Sequence, residues 1–106
     1  MSTDQKNKLS KDISNAFNVL GDDHTLCIIA NLRDGGLRFC ELQRALELNP
    51  TTLIARLTKL EKEKIVEKET ETIDKLSVVY KLTKKGLGIL PIMQEFEKFA
   101  VKFPGD

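Results

Sequence analysis

Two cysteines, Cys27 and Cys40, and one histidine, His24, have the widest reactive repertoire in this chain. The cysteines stand outside any Cys-x-x-Cys spacing, and with a single histidine they do not make the donor set of a standard zinc site. A disulfide framework is excluded at this count. No nucleophile–base pair, glycine-rich phosphate loop or carboxylate pair in a credible pocket stands out either, so neither an enzyme nor a cofactor or metal is expected. Cys40 falls where a short helix begins, with Gln43 at capping-box spacing. A thiol at a helix N-terminus gains thiolate character, which makes Cys40 the redox candidate, set against an inert thiol. Cys27, among Leu26, Ile28 and Ile29, reads as a small core residue. His24 lies beside Asp22 and Asp23 and reads as a capping or surface group.

A second kind of chemistry lies in residues 50–63. On a helical wheel centred on Leu53, Leu57 and Leu60 fall within about 40° of it. Thr51, Ala55, Thr58, Lys59 and Lys62 fall between about 140° and about 240°, with Thr52 and Arg56 flanking them. One face is core; the other offers hydroxyls, a methyl and cations. Threonine hydroxyls bond phosphates or base edges, methyls touch the thymine methyl, and an arginine reaches guanine or phosphate. An ordinary solvated helix face is the competing reading.

The flanking segments must hold that face in place. Leu9, Ile13, Ala16, Phe17 and Leu20 mark an amphipathic first helix with Gly21 at its C-terminal cap. Asp22 or Asp23 caps a second helix to about Arg33, its apolar positions including Leu26, Ile29, Ala30 and Leu32. Asp34-Gly35-Gly36 is a turn, and Leu37 to Phe39 a short extended stretch. A third helix starts near Cys40, with Leu42, Ala45 and Leu46 as its buried stripe. Asn49-Pro50 then restarts the chain as a fourth helix, to about Lys64, with Asn at the cap and Pro at the first position. Val66–Thr72 and Leu76–Leu82 form a hairpin about a turn at residues 73–75, with Val78, Tyr80 and Leu82 on one face. Thr83 caps a last helix to about Phe103, which Pro91 kinks or divides.

This order predicts a mainly α fold with a small β-hairpin (α+β), a winged helix-turn-helix. In 106 residues it makes one domain, 9–106, behind a polar, frayed N-terminus, 1–8. No apolar run approaches a membrane span, and the opening residues have no signal-peptide core, so a cytoplasmic protein is expected.

Three blocks carry a family resemblance: Arg-Phe-x-Glu-Leu at 38–42, Pro-x-x-Leu-x-x-Arg-Leu-x-x-Leu at 50–60, and Tyr-x-Leu-Thr-x-x-Gly at 80–86. In this register the chain resembles HxlR-type transcriptional regulators, kin of the MarR group, over about Ala16 to Lys102. The resemblance implies a prokaryotic DNA-binding homodimer, with the fourth helix in the major groove, the hairpin tip near the minor groove, and terminal helices at the dimer interface. Similar proteins usually have Lys-Trp where this chain has Asp23-His24. Many sense oxidants through an N-terminal cysteine; here none precedes Cys27, so that mode is not carried over, and any small-molecule or redox effector stays unidentified.

Charge refines these expectations. The chain has 17 basic and 16 acidic residues, a net +1. Residues 37–64 sum to +2 and the hairpin region 65–82 to −1. Only Lys75 in the hairpin looks placed for a phosphate, with Arg38 a further candidate beside the helix-turn-helix. Phe96, Phe99 and Phe103, with Met93 and Ala100, make a stripe at helical spacing; Ile13, Phe17 and Leu20 of the first helix are its expected partners, from a second chain. The expected partners are therefore double-stranded DNA and a second copy, with no membrane. The acidic hairpin and near-neutral charge keep one alternative, a winged-helix module that binds protein and not DNA.

Overall fold

Ser10 sets the first boundary: its Oγ accepts the Ile13 N–H at 3.2 Å, and helix α1 runs Lys11–Leu20. The Gly21 N–H closes it on the Phe17 carbonyl at 2.7 Å. The computed structural model describes residues 10–70 and 78–105. The remaining elements are α2 (Asp23–Asn31), β1 (Leu37–Arg38), α3 (Phe39–Leu46), α4 (Pro50–Lys62), β2 (Val66–Thr70), β3 (Val78–Leu82), α5 (Lys84–Leu87) and α6 (Leu90–Lys102). None of the described helices is long and apolar enough to cross a membrane. Among the described residues, no cluster of His, Cys, Asp and Glu could hold a metal ion.

The core is the packing of α2, α3 and α4 on the sheet. Ile28, Ile29, Leu32, Leu42, Leu53, Leu57, Leu60, Ile65, Val66, Leu82 and Ile89 are all buried. The fold is the winged helix-turn-helix expected from the order of elements. Its sheet has three strands, in the order β1-β3-β2, all antiparallel. Leu37 pairs with Tyr80 and Val66 with Leu82. The stretch at Leu37 is thus an edge strand on the hairpin and joins the helix-turn-helix to the wing. Residues 71–77, which include the expected turn, lie outside the described residues.

Of the apolar positions expected in α2, Ile29 and Leu32 are buried, together with Thr25 and Ile28, and Leu26 and Ala30 are half-buried. Leu26 turns into a groove shared with α1 and α6. Two local expectations are corrected. Ala45 is exposed, because a helix as short as α3 buries only Leu42 fully, with Leu46 half-buried. Cys40 is not the cap of α3. Arg38 holds that position, and its backbone N–H donates to the Glu41 carboxylate at 2.8 Å.

Thr83 and Pro91 divide the C-terminal segment. The Thr83 hydroxyl accepts the Gly86 N–H and itself donates to the Lys64 carbonyl at 2.6 Å, pinning α5 beside the end of α4. Gly86 is buried there, and the position needs glycine because a Cβ would collide with the Ile65 carbonyl oxygen. Pro91 sits in the first turn of α6, where its missing N–H costs no hydrogen bond.

Candidate nucleic-acid interface

Asn49 and Pro50 start α4 as their types require: the Asn49 side chain accepts the Thr51 N–H at 2.7 Å, and Pro50 opens the first turn. Glu47, at φ 53°, ends α3 in the left-handed region and sets the turn between the two helices. Leu53, Leu57 and Leu60 are buried to within 1% exposure. Thr51, Ala55, Thr58, Lys59 and Lys62 are all exposed on the opposite side, with Thr52 and Arg56 half-buried beside them. Ile54 is 54% exposed at the other margin of this face. Sequence reasoning passed over it, although its wheel position, about 100° from Leu53, could have flagged it.

Two of the cations are not simply directed at solvent. Arg56 Nε lies 2.5 Å from Asp22 Oδ2, and Lys59 Nζ donates to the Asn18 carbonyl at 3.1 Å. The reading of Arg56 as free to reach a base or phosphate is corrected to that extent. Asp22 also accepts the Thr25 hydroxyl at 2.9 Å. Burial works to raise the Asp22 carboxyl, but the hydrogen bonds from Thr25 and Arg56 and the guanidinium charge outweigh it and hold it below the usual carboxylate range.

Arg38 is exposed at the start of α3, one strand away from the wing. In the wing, Lys81 pairs with Glu69 at 2.8 Å and Glu67 at 3.9 Å, and Lys68 with Glu61 at 3.7 Å. Among the described wing residues, Glu67 and Glu69 share one lysine, Lys81, while Lys68 turns to Glu61 of α4. The Glu69 hydrogen bond and charge raise the Lys81 ammonium above its ordinary value. Lys75 lies outside the described residues.

A second surface lies away from α4. No residue of α6 is buried. Phe96 is 52% exposed, Phe99 64% and Phe103 58%; Phe17 of α1 is 52% and Ile13 46%. Ala100 is exposed too, while Met93 and Leu20 are partly buried against the core. The Phe99 and Phe103 rings pack against each other in a tilted arrangement, with centroids 5.4 Å apart. Between α1, α2 and α6 an apolar groove of about 310 Å³ opens, lined by Phe17, Leu20, Met93 and Phe96 among others.

Cys40 is exposed and Cys27 half-buried. Burial, then the charges of Asp23 and Asp22, push the Cys27 thiol above its ordinary value, which favours the unreactive thiol form. His24 is neither cap nor fully surface: Asp22 takes the cap position, and the His24 ring is half-buried, with an Nδ1 that has no hydrogen-bond partner among the described residues.

The HxlR-like helix-turn-helix family model matches residues 19–105. The HTH-type transcriptional regulator YodB of Bacillus subtilis is 33% identical over 103 residues, covering 94% of this chain and 92% of YodB. The reduced form of YodB superposes with a TM-score of 0.83 at 32% identity, covering 92% of this chain and 99% of that one. The quinone-bound form gives 0.77 at 31% identity, covering 90% and 100%. With the three sequence blocks, the helix-turn-helix and the wing in one register, the chain belongs to the HxlR-like helix-turn-helix family and is a transcriptional regulator of that type, not an enzyme.

Proposed function

We propose that the protein binds a pseudo-palindromic operator as a homodimer in the cytoplasm, with α4 in the major groove and the β2–β3 hairpin as the wing. Thr51, Thr52, Ala55, Thr58 and Lys62 meet base edges and phosphates, with Arg56 and Lys59 at the margin of that face. Arg38 contacts the backbone, and Lys75, between β2 and β3, is the wing contact. The observation that supports this is the division of α4 into a fully buried leucine face and an exposed face of hydroxyls, a methyl and cations. The dimer reading rests on the exposed aromatic face of α6 and α1, which a single chain leaves wet. Ile13, Phe17, Leu20, Met93, Phe96, Phe99, Ala100 and Phe103 form that interface. The two copies of α4 then stand about one DNA turn, ~34 Å, apart. A redox-active or electrophilic small molecule is the proposed effector class, since the similar YodB is known in reduced and quinone-bound forms. Exposed Cys40, and not Cys27, is the thiol it would meet.

The test is selection of genomic duplexes by the purified protein, followed by affinity against salt. About six phosphate contacts give a loss of ~10³ in affinity between about 50 and 200 mM salt. A flat salt response removes DNA as the partner and leaves a protein-binding winged helix.

A further inference from the structure

We infer that Asp22 is an internal counter-ion of the reading helix, keeping the Arg56 guanidinium on the protein and off the DNA phosphates and so limiting operator affinity. The inference rests on the duplex-binding reading above.

Asp22 stands at the corner between α1 and α2, and Arg56 on α4; the pair is 34 residues apart in sequence and 2.5 Å apart in space. The carboxylate is anchored on its own side. It accepts the hydroxyl of Thr25, a residue only 1% exposed, so it cannot follow the guanidinium outward without leaving the core's edge. One turn along α4, Lys59 reaches the same corner, on the Asn18 carbonyl. Two of the three cations on or beside the α4 face therefore point back at the protein. Lys62 is the third, with no ion pair among the described residues.

A phosphate approaching Arg56 meets the Asp22 charge at nearly the same distance, so the pair offers it little net field. A cation already neutralised by a carboxylate displaces no counterions from DNA, and it is this displacement that drives phosphate binding. Both side chains are about one-third exposed, 35% for Arg56 and 34% for Asp22. Pairs exposed to that degree contribute little to folding. The contact is therefore better placed to set the charge presented to DNA than to hold the fold.

The experiment measures binding of a selected duplex by fluorescence anisotropy across a salt series. It compares the full wild-type chain with Asp22→Asn, Arg56→Ala and the double variant. Each added phosphate contact steepens the log–log salt slope by about 0.9, hence by about 1.8 for the two protomers. Asp22→Asn is expected to bind more tightly at low salt with a slope steeper by about that amount. Arg56→Ala is expected to keep the wild-type slope, and the double variant to lose the gain. An Asp22→Asn slope equal to wild type overturns the inference. So does an Arg56→Ala slope flatter by about 1.8, which would put Arg56 on phosphate already. If circular dichroism shows Asp22→Asn unfolded, Asp22→Ser, which also suits a helix cap, is read in its place by the same criteria. A wild-type protein with no salt dependence overturns the duplex reading and this inference with it; a normal wild-type slope with unresponsive variants overturns the inference alone.

Discussion

On the proposed homodimer, replacing Phe99 by alanine should separate dimerisation from folding. The side chain is 64% exposed in the single chain and touches little that the monomer needs. An aromatic side chain buries on the order of 200 Å², so that share corresponds to ~130 Å² available to a partner, worth ~3 kcal/mol per copy at ~25 cal/mol per Å². Alanine keeps about a third of that contact in any such interface, which leaves a loss of ~2 kcal/mol per copy and ~4 kcal/mol per dimer. A change of that size weakens the dimer by roughly 10³. Sedimentation equilibrium across a concentration series measures the dimer constant directly, and far-ultraviolet circular dichroism checks that the chain stays folded. Wild-type protein that sediments as a monomer at micromolar concentration would refute the dimer. A Phe99→Ala dimer constant within twofold of wild type would refute the assignment of this face to it.

Lys62→Ala is expected to flatten the salt slope of operator binding by about 1.8 per dimer, and an unchanged slope would take Lys62 off the phosphates. Gly86→Ala pushes a Cβ onto the Ile65 carbonyl and, at 3.1 Å, against Leu82 Cδ2; it should cost about 1–3 kcal/mol and lower the melting temperature by several degrees, so an unaltered melt would show that this contact yields freely. Because the folded carboxyl of Asp22 sits below its unfolded value, its contribution to stability is complete above the unfolded pKa of about 3.9 and is lost as pH falls through the lower folded value. That contribution is small for a pair this exposed, so the direct check is the carboxyl itself: followed by NMR, Asp22 should titrate below the ordinary carboxylate range in wild type and move up toward it in Arg56→Ala, and an unmoved titration would contradict the assigned contact. Peroxide should weaken operator binding by the wild type and spare Cys40→Ser; an equal response in both proteins would exclude Cys40 as the target.

Much of the fold was legible in the residues because local rules and the core agreed. Asn49-Pro50 marks the start of α4 whatever surrounds it, since the cap and the fixed proline φ act within one turn. The leucine spacing at 53, 57 and 60 fixes which side of α4 is wet. Thr83 caps the C-terminal segment as its type requires, and of the two outcomes Pro91 left open, a kink or a first turn set apart, the second holds, with the break at Gly88 and Ile89. What the residues left open depended on distant elements. Leu26 and Ile28 are both apolar, and only the positions of α1 and α6 decide that Leu26 lines the groove while Ile28 enters the core. The cap of α3 falls on Arg38 and not on Cys40 because Leu37 and Arg38 pair with β3, which starts the helix at Phe39 and leaves Cys40 inside its first turn.

By itself, the sequence determined the order of elements, the family blocks and the two faces of α4, because periodicity and capping are properties of neighbouring residues. Tertiary structure alone decided where the charges go. Asp22 and Arg56 are 34 residues apart, and Asn18 and Lys59 are 41. No local pattern states that the α1–α2 corner reaches the margin of α4. Electrostatic partnership depends on distance through space, and packing sets that distance.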